Sequence, residues 1–261
     1  MKRSLLFLCA CSTQQATPPP PVPSQTPGAS TSIAPAVIAH DPPAPLACIT
    51  KYYGGSARQE ERGAWSLVLE DGTAIPYDPD VKELYEIVYP TGAIQPITQV
   101  DFDPGRMRID ALMLATYGKT ASEVQHALTS VRVGGKWFGV HEKIAAPLKR
   151  VAARIDALHD SSLAKFFESP GGTFNWRKIA GTDELSMHAW AIAIDLDTTR
   201  SNYWRNERQD KPLVWKNSYP QVIVDAFEAE GFIWGGRWYH FDTMHFEYRP
   251  ELLDPSCYPT K

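Results

Sequence analysis

Apolar positions first alternate with polar ones at residues 65–77. There WSLVL and AIPY flank Glu-Asp-Gly-Thr, and Asp71-Gly72 is the turn signal of a β-hairpin. Asp103-Pro104-Gly105-Arg106 marks a second turn, whose Arg106 is either a turn residue or the holder of a functional anion. The period then lengthens. Thr120-Ala-Ser-Glu123 has the form of a capping box, and Val124, Leu128 and Val131 follow at helical spacing, which predicts a helix reaching about residue 131. A second helix is expected over residues 140–158, with Ile144, Leu148, Val151, Ile155 and Leu158 along one stripe. Residues 169–172 read as a loop. Strands dominate the last third, interrupted by a helix near residues 220–230 whose Val222, Ala226 and Phe227 face inward. Trp234-Gly-Gly-Arg-Trp238 reads as a tight turn between two strands. No internal repeat is visible.

The chain begins differently. Lys2 and Arg3 precede a short apolar run that ends Leu8-Cys9-Ala10-Cys11, the arrangement of an export signal over residues 1–10. The ending resembles the lipobox of bacterial lipoproteins, so Cys11 is a candidate for acylation, with an ordinary signal peptide as the alternative. Residues 17–45 hold 10 of the 22 prolines and one charged residue, Asp41. Such a stretch buries no core, and residues 11–45 are expected to act as an extended tether. This places the protein outside the cytoplasm, in the bacterial cell envelope, and touching a membrane only through the lipid. In that setting the even pair Cys48 and Cys257 predicts a disulfide worth about 2–4 kcal/mol. A net charge of −4 argues against nucleic acid as the partner. A monomer is expected.

The chemistry gathers in two apolar segments, SMHAWAIAIDLD at residues 186–197 and FDTMHFEYRPE at 241–251. They carry His188, Asp195 and His245, with Asp242 three residues before the last. Two imidazoles and a carboxylate can hold one zinc ion with a fourth position open to water, and a nearby free carboxylate can take that water's proton. Local geometry adds a condition. His188 and Asp195 are seven residues apart; one extended strand would separate them by about 23 Å and, at an odd offset, point them to opposite faces. The chain must fold back, most simply at residues 189–191, leaving Asp195 on the following strand with Ile192, Ile194 and Leu196 on the other face. Taken singly, each histidine could be a satisfied core residue and Asp195 a loop cap. An unpaired buried carboxylate is costly, which makes three separate structural explanations harder to sustain.

These segments, with GGTFNWRKIAGT at residues 171–182 upstream, resemble the D-alanyl-D-alanine carboxypeptidase and L-alanyl-D-glutamate endopeptidase family of zinc peptidases. That family's pattern is Ser-x-His, six residues, Asp, and later Asp or Glu, two residues, His; here it falls on Ser186, His188, Asp195, Asp242 and His245. The resemblance covers roughly residues 136–250. It implies an α+β fold of the Hedgehog-like type, an antiparallel sheet with flanking helices and the zinc site on the sheet. It further implies zinc on His188, Asp195 and His245, Asp242 as general base, Arg177 and Ser186 as substrate-binding groups, and a peptidoglycan stem peptide as substrate. On this reading residues 136–261 form the peptidase domain and 46–135 an N-terminal extension, with the boundary near 131–140. The chain departs from the pattern once, placing Ala191 where the family commonly has Gly, at the inferred bend. If that residue needs a positive φ, Ala costs about 1 kcal/mol. Trp190, Trp234 and Trp238 are either core or cleft wall.

Two rivals share the ligand set. The Hedgehog signalling domain has this fold and metal, so a non-catalytic zinc-containing module that binds cell wall is one alternative. Two His and a carboxylate also make an iron facial triad, but its His and Asp usually stand two residues apart, unlike the seven here.

Overall fold

The computed structural model describes residues 41–208 and 212–258. The expected export signal, Cys11 and the tether as far as residue 40 lie outside that range. Helix α1, Ala44–Tyr53, begins inside the stretch expected to be tether, with Pro45 in its first turn, where a missing N–H costs nothing. The chain continues through β1 (Ser56–Gln59), β2 (Trp65–Val68) and β3 (Ala74–Pro76), an antiparallel sheet in that order. The β2–β3 hairpin is the one the Asp71-Gly72 turn predicts, closed by the Leu69 N–H on the Thr73 carbonyl at 2.9 Å.

Helices α2 (Asp110–Tyr117) and α3 (Ala121–His126) follow. Thr120 caps α3 by accepting from the Glu123 N–H, but the helix ends after six residues. Residues 128–131, expected to prolong it, instead open β4 (Leu128–Val133), which pairs with β5 (Lys136–His141). Gly134 and Gly135, both at positive φ (53° and 83°), make the two-residue turn whose twist suits a hairpin. Val131, Val133, Phe138 and Val140 are buried while Ser130, Arg132 and Lys136 are exposed, a period of two. Val124, Leu128 and Val131 also fit a helical period, and the glycine pair breaks the tie.

Helix α4, Glu142–Ala157, matches its prediction: Ile144, Leu148, Val151 and Ile155 are buried, whereas Leu158 lies beyond the last turn and is 43% exposed. His141 caps it, its Nδ1 accepting from the Lys143 N–H at 3.2 Å. Residues 170–172, expected as loop, form the short edge strand β6 (Pro170–Gly172). The remaining elements are β7 (Ala193–Asp197), α5 (Gln221–Glu228), β8 (Phe232–Trp234) and β9 (His245–Tyr248). In α5, Ile223, Val224, Ala226 and Phe227 face inward and Val222 is 40% exposed, correcting the expected face by one residue. These strands form one antiparallel sheet in the order β6-β7-β9-β8. The result is an α+β fold of mixed helices and antiparallel sheets.

A boundary at residues 131–140 does not divide this unit, because it falls within the β4–β5 hairpin. Leu46, Leu67 and Leu112 from the expected extension share one hydrophobic core with Ile194, Phe227 and Phe246. Cys48 and Cys257, 209 residues apart, are joined by a disulfide with a Cα–Cα distance of 5.1 Å. A second tie is ionic. Fully buried Arg249, just after β9, bonds Glu251 at 2.5 Å and donates to the carbonyls of Gly105 (2.9 Å) and Met107 (3.3 Å). The segment around residue 106 is thereby fixed against the end of β9. Among the described residues, no helix is long and apolar enough to cross a membrane.

Candidate metal centre and cleft

The fold-back required by the seven-residue offset is a single 3-10 turn, Met187–Trp190, followed by Ala191 at φ 53° and ψ 33°. The positive φ is therefore kept, although the residue is Ala. Ser186 opens the turn, its hydroxyl accepting from the His188 N–H at 3.3 Å. The chain then leaves as β7, with Ile192, Ile194 and Leu196 fully buried on the face away from Asp195. Strand β9 completes the site, because its register places His245 directly opposite Asp195. Opposed residues project from the same face of a sheet, so the pairing itself brings these two side chains together.

Three donor atoms converge. His188 Nε2 lies 3.2 Å from Asp195 Oδ1 and 3.2 Å from His245 Nδ1, and the last two are 3.0 Å apart. Tetrahedral coordination with bonds of ~2.0–2.1 Å needs its ligand atoms about 3.3 Å apart, so this triangle has the size of one face of such a site. The outward ring nitrogens are already engaged. His188 Nδ1 donates to the Thr173 carbonyl at 3.1 Å, and His245 Nε2 to Glu247 at 3.0 Å. Each contact fixes the tautomer and turns the other nitrogen's lone pair inward, as metal-binding histidines require. Burial opposes charge on His245, yet Asp195 and Glu247 pull it up to about 10, so a cation held at Nδ1 takes the place of a proton there. Glu247 would be raised by its own burial, but His245 and the Arg108 guanidinium hold it at about 2. Asp195, likewise buried, is kept well below the usual carboxylate range by His188 and His245. The donor set, two imidazoles and an ionised carboxylate, suits a divalent cation.

Asp242 plays a different part. It stands in the turn before β9, and its Oδ1 is buried with no hydrogen-bond partner. Burial pushes the carboxyl up to about 6, against the pull of His245 and Arg106 and with a further push from Asp195. Its backbone is pinned by its N–H on the Gly235 carbonyl at 3.0 Å and by a bridge to Tyr203. Gly235 is needed there, since a Cβ would lie 2.5 Å from the Asp242 carbonyl oxygen.

A cleft of ≈ 200 Å³ opens over these groups, and Ser186 and Arg177 also line it. The Ser186 N–H donates to the Arg177 carbonyl at 3.0 Å, which sets exposed Arg177 at the lip; its Nη1 reaches the Lys178 carbonyl at 3.3 Å. All six residues expected at the site are thus assembled in one place, and Ser186 both caps the turn and faces the cleft. Trp238 forms part of the wall, while Trp190 and Trp234 belong to the core.

Residues 180–248 match a family model. Its description is D-alanyl-D-alanine carboxypeptidase. The matched stretch is about a quarter of the chain and contains Ser186, His188, Asp195, Asp242 and His245; Arg177 lies just ahead of it. The segment that carries the triangle is thus similar to that peptidase family. No curated protein and no solved structure gives a match.

Three contributors, Glu247, Thr173 and Arg108, escape the sequence reading. Glu247 had a usable signal: it stands two residues after His245 on one strand, hence on the same face. Thr173 acts through its backbone, which leaves no mark on residue type. Arg106 and Arg108 also line the cleft, from a segment more than a hundred residues upstream of β9. Arg106 was legible as a turn residue or the holder of an anion; it does close the turn, with its N–H on the Asp103 carbonyl at 3.1 Å, and it also lines the cleft.

Proposed function

We propose that this protein is a zinc-dependent peptidase that hydrolyses an amide bond in peptidoglycan stem peptides, as a D-alanyl-D-alanine carboxypeptidase or an L-alanyl-D-glutamate endopeptidase. The observation that carries this reading is the donor triangle of His188, Asp195 and His245 with the buried, unpaired carboxylate of Asp242 beside it. Those three residues would hold one zinc ion on the sheet, in a Hedgehog-like arrangement. When bound, zinc supplies a Lewis acid for the scissile carbonyl and acidifies water.

The chain's own groups supply the rest. Asp242 accepts a proton from the attacking water and returns it to the leaving amine, and a carboxyl raised to about 6 is a stronger base than an ordinary one. Thr173 and Glu247 hold the two imidazoles in one orientation throughout. Ser186 and Arg177 at the lip bind the peptide, Arg177 offering a planar fork to a carboxylate or polarised carbonyl. Export, a tether and acylation at Cys11 would present a monomeric enzyme to the cell wall.

The test is mass spectrometry of muropeptides digested with and without EDTA, together with metal analysis. A metal-dependent loss of one residue or one internal cut supports the proposal and names the bond. Intact peptide after long incubation with the zinc-loaded protein would make this a non-catalytic wall-binding module instead.

A further inference from the structure

We propose that Arg106 is the receptor for a free carboxylate of the substrate beside the scissile bond, and that Arg108 positions it; this rests on the peptidase reading above. Neither residue lies in the matched segment, so the proposal gives the segment ahead of it a direct part in substrate choice.

The charge balance of the cleft comes first. Four guanidiniums line it, those of Arg106, Arg108, Arg177 and Arg205. Among the described residues, none of the four has a carboxylate within ion-pairing distance. The carboxylates lining the cleft are Asp195, Asp242 and Glu247. Among the described lining residues, guanidiniums therefore outnumber carboxylates by one, and the positive excess grows once a divalent ion is held. The chain as a whole carries −4, so this concentration of positive charge is local and faces the reacting centre. A cleft of one sign attracts and orients a ligand of the other.

Arg106 is the best placed of the four. Its guanidinium lies over the Trp238 ring at 4.6 Å, and that ring is 5.6 Å from the His245 ring. Nη2 donates to the His240 carbonyl at 2.9 Å, but Nε is buried with no partner and, among the described residues, Nη1 has no acceptor. A buried N–H without an acceptor is costly and unusual, and a charged one more so. A substrate carboxylate in the cleft would meet the guanidinium through the open Nη1, whose charge-assisted hydrogen bonds are still to be made. Arg108 fixes this arrangement: Nε holds the Arg106 carbonyl at 3.2 Å while Nη1 holds the Leu185 carbonyl at 3.1 Å, next to Ser186. Arg249, through the Gly105 and Met107 carbonyls, locks the same segment from the other side.

The test uses the zinc-loaded full chain and three synthetic pentapeptides: the parent L-Ala-γ-D-Glu-L-Lys-D-Ala-D-Ala, its C-terminal amide, and a version with isoglutamine replacing D-glutamate. Each derivative removes one carboxylate. One of them is expected to lose about tenfold or more in kcat/KM, chiefly through KM. Arg106→Gln should bring the parent down similarly and shrink the preference over that derivative towards one, with Arg106→Lys between the two. The proposal is overturned if both neutralised peptides react like the parent. It is also overturned if Arg106→Gln, with native circular dichroism and full zinc content, keeps the preference. Failure of all three peptides to react counts against the peptidase reading. Calorimetric binding of parent against amidated peptide then still decides the carboxylate question.

Discussion

Ala191→Gly should leave the stability of this protein nearly unchanged, although it truncates a fully buried residue. The perturbation removes one methyl at the bend between the 3-10 turn and β7, where Ala191 holds φ 53° and is 0% exposed. Three effects compete. The left-handed conformation costs an L-residue about 1–2 kcal/mol, and Gly is relieved of it. Against that, a buried methyl is worth about 0.8 kcal/mol, and Gly gives the unfolded chain freedom worth roughly 0.4–1 kcal/mol. The sum lies near zero. Ala193→Gly is the control, because Ala193 is equally buried but sits in the β7 strand. It has only the two losses, so it should cost about 1–2 kcal/mol. The burial and entropy contributions cancel in the comparison, and the difference between the variants reads the backbone strain alone. Urea unfolding at fixed metal content, with the disulfide intact, measures it. Equal destabilisation of the two variants would refute the claim that the bend is strained.

Other outcomes can be checked independently. Asp242→Ala should retain zinc by elemental analysis yet lose about 10²–10⁴ in kcat, and an unaffected rate would sink its assignment as base. Glu247→Gln weakens the acceptor behind His245 while preserving shape, and should lower zinc affinity about 10–100-fold in a chelator competition. His141 is neutral in the fold: Nε2 donates to the Tyr117 carbonyl, Nδ1 accepts from Lys143, and burial lowers its pKa from 6.5. Its contribution is therefore present above pH 6.5 and is lost as the pH falls through the depressed folded value, where the unfolded chain binds the extra proton. Urea midpoints against pH should show this acid limb, and His141→Asn, which keeps a capping oxygen, should flatten it.

Much of the site was legible before any coordinates. The rise of a strand and the odd spacing of His188 and Asp195 were enough to demand a fold-back and to place it at residues 189–191, where the structure has the end of the turn and Ala191. The stripe of α4 and the turn of the β2–β3 hairpin followed from periods of 3.6 and 2 and from Asp71-Gly72. Where local patterns were degenerate, the reading slipped. Val131 satisfied both a helical and a strand repeat, and Val222 lay one position from the buried face of α5. Tertiary structure alone decided that Asp195 faces His245, that the Thr173 carbonyl meets His188, and that Arg106 arrives at the cleft from a turn far upstream. Chain geometry constrains residues within a few positions of each other, and those constraints are written in residue type and spacing. Strand register and the docking of distant segments depend on which buried surfaces and hydrogen bonds are satisfied together across the whole core, and no short stretch of sequence records that.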